Sequence, residues 1–385
     1  MILRVTCIAV LAIILVAGLW PFHAPLNHVN WVAAHGLRFR KYGSITTAGE
    51  FRTPSTADDS CAFEIWLQPA RLRGSGTIFS FYQPQAQFPP FALRQSLGDL
   101  VFLKADPARP AKKTRTYVYG VFSESKPVLV TINSNRSGTS VYVDGTLLKQ
   151  LENFHLSNRE LTGRLVIGNS SSGTDEWSGQ VKGFAIYDRQ LSAEQIAQNY
   201  RNGKSNTSSQ PAENAIAFYT FDEGTGRTIH NHADPATDLQ IPERFFVLHQ
   251  RFLERPWDEY RPGLNYWKDI AINVTGFIPL GLFFYAYFSL LRKTERPALS
   301  TTVFGFAVSL TIELLQSLLP TRNSGMTDLF TNTLGTAIGV FLFRISMVQR
   351  VLTVIGALPR NSTVSGKAGH PLHEMVPAGA ADSSR

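Results

Sequence analysis

Residues 270–291 form an uncharged run of 22 residues, and this run limits the chain's possible folds more than any other feature. It lies between Asp269 and Arg292, and it exceeds the roughly 20 residues that a helix needs to cross the hydrocarbon core of a bilayer. Residues 298–320 form a second such run, in which Glu313 is the one ionisable residue. The chain is therefore predicted to cross a membrane.

Two further spans are predicted from residues 5–20 and 328–348. The first lies within a segment, 1–22, that could also be a signal peptide. An uncleaved anchor is favoured because Trp20 follows the run, at the level where aromatic side chains meet the bilayer interface. In the fourth span, the charges near its ends can reach the interface through their long side chains.

Charge patterning favours a membrane partner over a nucleic acid. Lys and Arg total 37 against 29 for Asp and Glu, which gives a net charge of +8. Nucleic-acid-binding domains gather basic residues into patches or stripes, whereas here the basic residues are scattered along the chain. Nucleic acid is therefore not expected as a partner, and the lipid bilayer is.

The charges of the short connecting loops predict how the chain is oriented in the membrane. The connection between spans 2 and 3, residues 292–297, holds three positive residues, and the last residues of span 4 and the region after it hold Arg344, Arg350 and Arg360. The connection between spans 3 and 4 holds only Arg322. Because basic loops stay in the cytoplasm, both chain ends are predicted to be cytoplasmic and the long segment between spans 1 and 2 to lie outside.

That long segment, residues 36–255, is predicted to be an all-β domain. Short alternating runs such as 63–67 recur between clusters of turn-forming residues, as in strands with one buried face. Asp144 and Gly145 separate two such runs and favour a tight hairpin turn. One short helix is predicted over 192–200, with Ser192 as its cap, Gln195 completing a capping box, and Gly203 after its end. A β-sandwich or jelly roll follows from this pattern.

The ordered strand runs resemble those of a laminin-G-like, concanavalin A-type domain. The resemblance rests on residues 128–131, 141–145, 165–169, 179–192 and 221–226, the last of which holds the sequence Phe-Asp-Glu-Gly-Thr-Gly. It implies a module that binds carbohydrate or protein. Glycosidases of this fold carry two catalytic carboxylates in an E-x-D-x-x-E run, and no such run occurs in the sequence, so a binding role is favoured over catalysis.

No cofactor is predicted with a full ligand set. Asp222 and Glu223 are candidate ligands for Ca²⁺ in the β-domain, although Ca²⁺ takes six to eight oxygen ligands. The alternative is an ordinary turn with solvated acids, since Asp and Gly are common turn formers.

The membrane spans carry polar stripes. At helical spacing, polar and small residues recur on one face of each of the last three spans. With the predicted orientation, seven polar residues would converge on one outward-facing pocket. They are Asp269, Asn273, Glu313, Gln316, Arg322, Asp328 and Asn332.

Two interpretations of these residues stay open. A carboxylate such as Glu313 at helix-interior depth costs roughly 2.5–3.5 kcal/mol on insertion scales, so such groups are usually functional. Alternatively, Gln316, Asn273 and Asn332 could act as hydrogen-bonding glue between helices, with small residues allowing close packing.

The same residues resemble the VanZ-like membrane family. The ordered pattern is Asn followed by Phe-x-Pro-x-Gly, then Glu-x-x-Gln, then Arg in a loop, then Asp-x-x-x-Asn-x-x-Gly, and it falls here on residues 273–281, 313–316, 322 and 328–335. The region 265–348 is therefore identified as a VanZ-like membrane region, with the β-domain as an insertion after span 1. The family is associated with bacterial resistance to glycopeptide antibiotics of the teicoplanin type, which implies a location in the inner membrane of a bacterial cell.

The sequence thus predicts a mixed fold, with a four-helix transmembrane bundle and an extracytoplasmic β-sandwich, and a disordered tail over 360–385. The predicted function is binding of an envelope glycan, a lipid-linked glycan or an envelope protein above a polar membrane pocket. One alternative is a membrane hydrolase or transferase acting on a lipid-linked glycan, with Glu313 as general base. A small transporter is a third, but the internal repeats usual in that class are missing from the sequence.

Overall fold

The computed structural model describes residues 1–32, 35–52, 59–86, 88–106, 109–124, 126–204, 215–250, 252–260, 262–354, 356 and 358. The predicted tail, 360–385, lies outside the described residues. The chain divides into two compact units. One comprises Met1–Ala17, Tyr260–Thr311 and the chain from Thr327 onward, and the other comprises Gly18–Glu259 and Ile312–Met326.

Sixteen strands make up most of the second unit. They are β1 (Val29–Trp31), β2 (Leu37–Phe39), β3 (Ile45–Thr47), β4 (Cys61–Pro69), β5 (Ser75–Tyr82), β6 (Phe91–Ser96), β7 (Asp99–Asp106), β8 (Arg109–Val118), β9 (Val128–Asn135), β10 (Gly138–Val143), β11 (Thr146–Leu151), β12 (Arg164–Ile167), β13 (Gly179–Tyr187), β14 (Ala215–Tyr219), β15 (Thr228–Ile229) and β16 (Leu239–Gln240).

The strands form two antiparallel sheets. The first has the order β1-β2-β13-β4-β9-β10-β11, and β14 pairs with the second half of β13. The other has the order β15-β16-β3-β12-β5-β6-β7-β8. Both sheets combine runs of consecutive strands, such as β5-β6-β7-β8 and β9-β10-β11, with neighbours from distant parts of the chain, such as β2 and β13. The predicted β-sandwich is confirmed.

Aromatic side chains fill the space between the sheets. Phe63 on β4 packs edge-to-face against Phe79 on β5, with ring centroids 5.2 Å apart, and Phe79 packs against Phe184 on β13 at 5.0 Å. Phe63 and Phe79 are fully buried. Edge-to-face pairs add about 0.5–1.5 kcal/mol beyond the area they bury, so these rings join three strands into one core.

The predicted hairpin and helix are both present, and the helix is longer than expected. Asp144 and Gly145 have φ values of 51° and 77°, as a tight two-residue turn requires. The helix, α2 (Ala193–Lys204), begins with the predicted capping box between Ser192 and Gln195. It continues through Gly203, which lies against the indole of Trp66. A Cβ on residue 203 would lie 2.5 Å from the ring nitrogen, so this contact accounts for the glycine.

Within the described parts of the chain, six further α-helices come before or after the strands. They are α1 (Ile2–Leu19), α3 (Pro256–Glu259), α4 (Leu264–Ala286, continued as a π-helical turn over Tyr287–Leu291), α5 (Pro297–Gln316), α6 (Met326–Phe343) and α7 (Ser346–Val354). Among the described residues, four helices are long and apolar enough to cross a membrane. They are Ile2–Leu19, Leu264–Leu291, Pro297–Gln316 and Met326–Phe343. All four predicted spans are thus present as helices.

Small residues bring α4 and α6 into close contact. A Cβ built on Gly335 would lie 2.2 Å from the carbonyl oxygen of Val274, and one on Gly339 would lie 2.2 Å from that of Ile278. No side chain fits at such distances, so the two backbones touch there. This is the small-residue packing typical of helices in membranes.

Candidate functional site

The sandwich contains an open cleft of about 950 Å³ at one rim. Three separate stretches of chain line it, which are 38–41, 68–75 and 176–180, together with Gln95. Ligand pockets commonly measure about 300–1,000 Å³. The cleft is therefore large enough for a small molecule or a few units of a polymer.

Strand pairing places polar side chains in a row along the wall of this cleft. Arg38 on β2 lies directly opposite Gln180 on β13, and Gln180 lies directly opposite Gln68 on β4. Directly opposed residues of antiparallel strands point to the same face. Their neighbours Leu37 and Leu67 are fully buried on the core face, so the three polar side chains line the outer face.

A buried amide fixes the turn that forms the far wall. The Gln95 side-chain nitrogen donates to the carbonyl oxygens of Arg71 and Leu97, both at 2.9 Å. Its oxygen accepts a hydrogen bond from the Trp177 indole at 2.8 Å, and both side chains are 1% exposed. The Ala70 amide also donates to the Ser178 carbonyl at 3.0 Å. Because all these groups are hydrogen-bonded inside the protein, the wall is rigid before any ligand arrives.

An ion pair anchors the loop before β13. The Arg94 guanidinium donates to both carboxylate oxygens of Asp175, at 2.7 and 2.9 Å, and the Thr77 hydroxyl donates to the same carboxylate at 2.6 Å. Burial opposes ionisation of Asp175, but the hydrogen bonds from Arg94 and Thr77 hold its pKa below the ordinary value. Both partners of this ion pair are thus occupied with each other.

The adjacent Glu176 faces the cleft. Its side chain accepts a hydrogen bond from the backbone amide of Tyr42 at 3.0 Å and so positions the 40–42 loop. Asp175 and Glu176 therefore hold two different loops in place.

A second polar cluster lies on the outer face of the first sheet, beneath α2. Glu64 is 6% exposed and accepts hydrogen bonds from Thr131 at 2.9 Å, Tyr187 at 3.0 Å and Asn199 at 2.8 Å. Burial raises its pKa above the ordinary value, although the three donors favour the ionised form. Asn199 belongs to α2, so the cluster fastens that helix to the sheet.

Both candidate Ca²⁺ ligands are hydrogen-bonded to their own loop. Asp222 accepts from the Thr220 hydroxyl at 2.8 Å, and Glu223 accepts from the His230 amide at 2.7 Å. Within the described ranges, no group of three or more His, Cys, Asp and Glu side chains is arranged to hold a metal ion. These contacts match those of a structured turn.

Four of the seven predicted membrane-site residues belong to the helical unit. The Asn273 amide on α4 donates to the Asp328 carboxylate on α6 at 2.7 Å. The Asn332 amide on α6 donates to Ser309 on α5 at 3.0 Å. Asp269 lies one turn before Asn273 and is exposed. Two of the predicted stripes thus join pairs of helices, as the glue interpretation expects.

The other three residues belong to the second unit. Glu313 is 1% exposed, and its carboxylate accepts a hydrogen bond from the Gly325 amide at 2.9 Å. The Gln316 amide donates to the Gly18 carbonyl at 2.7 Å. Arg322 donates to the Trp20 carbonyl. Each side chain thus has a local partner, and the prediction that all seven residues share one pocket stays a prediction.

The cleft on the sandwich was not foreseen from the sequence. Its basic side chains come from two short stretches, Arg38-Phe39-Arg40-Lys41 and Arg71-Leu72-Arg73, which line one cleft because β2, β13 and β4 are neighbours in the sheet. Nothing in the linear sequence shows that these two stretches share one surface. The one available indication was the excess of positive charge, and the sequence analysis attributed that excess to the membrane flanks.

Family comparisons find two modules in the chain. A family described as VanZ/LLP1 matches residues 196–347, and the concanavalin A-like lectin/glucanases superfamily matches residues 41–197. The two matches meet inside α2. No curated protein matches the chain.

Solved structures similar to the chain include binding domains of botulinum neurotoxins. The receptor binding domain of botulinum neurotoxin D is 16% identical, with a TM-score of 0.36, over 47% of this chain and 48% of that one. The binding domain of serotype G is 16% identical, with a TM-score of 0.37, over 53% and 49%. The chain spans about half the length of these structures. On the family matches, this protein joins a concanavalin A-like, laminin-G-type domain to a VanZ-like region whose helices can cross a membrane.

Proposed function

We propose that this protein is a glycan-binding receptor of the bacterial inner membrane, anchored by four helices and displaying its β-sandwich on the outer side. The observation that carries the proposal is the rim cleft of about 950 Å³ on the concanavalin A-like module. Such modules commonly bind carbohydrate, and this cleft has the size and the polar lining that a saccharide needs.

The chemistry of the walls supports a sugar as the ligand. Gln68 and Gln180 lie side by side across β4 and β13, and an amide both donates and accepts hydrogen bonds. A sugar hydroxyl group also does both. The buried Gln95 holds the wall formed by the turn after β4, so little ordering cost is expected for that wall on binding. An envelope protein as partner is less well supported, since protein interfaces of standard size bury about 800 Å² per partner, whereas the cleft has a volume in the range of small-ligand pockets.

The remaining parts of the proposal follow from the helices and the charges. Basic residues at 292–297 and after residue 343 favour cytoplasmic chain ends, and the sandwich between the first two spans would then lie outside. The VanZ/LLP1 match supports a place in the bacterial envelope and a link to teicoplanin-type resistance. The Asn273–Asp328 and Asn332–Ser309 pairs support a packing role for the polar stripes.

The proposal is tested by screening the full chain against purified bacterial envelope polysaccharides, with the protein held in nanodiscs of zwitterionic lipid. We expect saturable binding that free saccharide displaces. Ser178 is exposed and lines the cleft, so Ser178→Trp should fill it and abolish binding. The matched control is Ser137→Trp, which places the same bulky side chain on an exposed turn outside the cleft. Binding that survives Ser178→Trp, or no binding to any saccharide, would contradict the proposal.

A further inference from the structure

We infer that the cleft on the sandwich selects an anionic glycan, that is, a polysaccharide whose units carry carboxylate or phosphate groups. This inference rests on the proposed function and narrows it to a ligand class. It depends on the charges that line the cleft and on how those charges are held.

The lining of the cleft is strongly positive. Five basic side chains line it, and Glu176 is the one acidic residue among the described residues that do so. The five are Arg38, Arg40, Lys41, Arg71 and Arg73. The Glu176 carboxylate accepts a hydrogen bond from the Tyr42 backbone amide at 3.0 Å and forms no ion pair with any of these five residues.

The acidic side chains of the described residues do not neutralise these positive charges. Within the part of the chain that the structure describes, no carboxylate forms an ion pair with any of the five basic residues. By contrast, the nearby Arg94 is fully paired with Asp175. Like charges in a cleft repel one another and concentrate the electrostatic field there. A negatively charged ligand would lower this repulsion.

The types of the lining residues indicate which chemical groups the negative ligand carries. Four of the five basic residues are arginines, whose planar guanidinium groups donate pairs of parallel hydrogen bonds to carboxylate or phosphate. Beside Arg38 in the same cross-strand row lie the amides of Gln180 and Gln68, which suit hydroxyl groups. A ligand that offers both anions and hydroxyls within one cleft is an acidic saccharide.

The arginines of the far wall are positioned before binding. Arg71 and Arg73 lie on the turn between β4 and β5, where the Gly74 amide donates to the Arg71 carbonyl at 3.1 Å. The buried Gln95 donates to that same carbonyl at 2.9 Å. Their backbone is thus fixed, and only side-chain freedom is lost when an anion binds. Both side chains are exposed, so replacing them should leave the fold intact.

The test compares two forms of one polymer. Polygalacturonate carries a carboxylate on each sugar, and its carboxyl-reduced form is a neutral polymer with the same backbone. Binding of each to the full chain in zwitterionic nanodiscs is measured with and without a Ca²⁺ chelator, and a phosphomannan, a polysaccharide with phosphate groups on its sugars, serves as the phosphate-bearing probe. We expect one or both charged polymers to bind, the reduced polymer to bind at least about tenfold more weakly, and added salt to weaken charged binding.

Variants locate the effect. Arg71→Gln/Arg73→Gln should weaken binding of the charged polymer roughly tenfold or more. Arg71→Lys/Arg73→Lys should bind more tightly than the glutamine variant, because lysine keeps the charge but cannot donate the paired hydrogen bonds of a guanidinium group. The matched control is Lys149→Gln/Arg159→Gln, which removes two exposed positive charges outside the cleft. It should leave binding unchanged.

The outcomes separate the two levels of the proposal. Equal binding of charged and reduced polymers, unaffected by the arginine variants, would overturn the anionic selectivity and leave the glycan receptor standing. No binding of any saccharide would overturn both. Binding of vesicles containing phosphatidylglycerol, without binding of either charged polymer, would make the cleft a lipid-surface site and would also overturn the inference.

Discussion

Replacing Tyr187 by Phe tests how α2 is fastened to the sandwich. The Tyr187 hydroxyl is buried and donates to the Glu64 carboxylate at 3.0 Å, and Phe removes that one group without changing the ring. A hydrogen bond to a charged group contributes about 1.5–3 kcal/mol to the free energy of unfolding. For a domain of this size, 1 kcal/mol corresponds to roughly 2–4 °C in Tm, so we expect Tyr187→Phe to lower Tm by about 3–12 °C in the pH range where the folded protein holds Glu64 ionised.

The pH dependence identifies the carboxylate as the cause. Burial raises the pKa of Glu64 in the folded protein. The contribution of Glu64 to the free energy of unfolding is therefore fully present at pH values below its pKa in the unfolded chain, and it is lost as the pH rises through its pKa in the folded protein. The Tyr187 hydroxyl opposes that rise, because it stabilises the ionised form. Removing it should therefore cost least in acid, where Glu64 is protonated in both states, and progressively more as the pH increases.

Tyr219→Phe is the matched control. The Tyr219 hydroxyl is also buried but donates to the uncharged Thr237 carbonyl at 2.5 Å. Its loss should cost about 0.5–1.5 kcal/mol, with no dependence on the ionisation of Glu64. The assay is thermal unfolding of the detergent-solubilised full chain, followed by circular dichroism across a pH series. Equal, pH-independent losses in the two variants would refute the reasoning.

Two further predictions concern the membrane helices. Gly339→Leu should lower the thermal stability of the detergent-solubilised chain by about 1–3 kcal/mol or more, because a side chain there meets the α4 backbone. Gly276→Leu, with no atom near its Cβ position, should cost little, and a similar loss in both would contradict close α4–α6 packing. For the orientation, Lys149→Cys should react with an impermeant maleimide in intact spheroplasts, and Lys293→Cys should react only after permeabilisation. Both native cysteines are buried and should give little background.

Local signals in the sequence predicted the elements that depend on local chemistry. The Asp144-Gly145 turn needs two residues that tolerate positive φ, and the Ser192–Gln195 capping box needs residues three apart. Long apolar runs likewise gave the four spans. The end of α2 was predicted too early, because Gly203 was taken as a sign that the helix stops. Residue 203 packs against Trp66, where a larger side chain would not fit.

The binding cleft depends on sheet order, which the sequence did not reveal. Arg38 and Arg71 become walls of one cleft because β13 lies between β2 and β4, although β13 is far from both in the chain. The short strands β1, β2 and β3, with three residues each, carry too little alternation to be recognised by pattern. The two basic stretches, 38–41 and 71–73, consequently gave no sign that they share one surface.

Hydrogen–deuterium exchange on the full chain in nanodiscs, with and without a polymer that binds, tests the central claim most directly. The account predicts slower exchange of backbone amides in the three stretches that line the cleft, 38–41, 68–75 and 176–180. Exchange on the opposite edge strand β11 and in the membrane helices should not change. Protection that appears elsewhere, with no change at the cleft while the polymer is bound, would contradict the claim that this cleft is the glycan site.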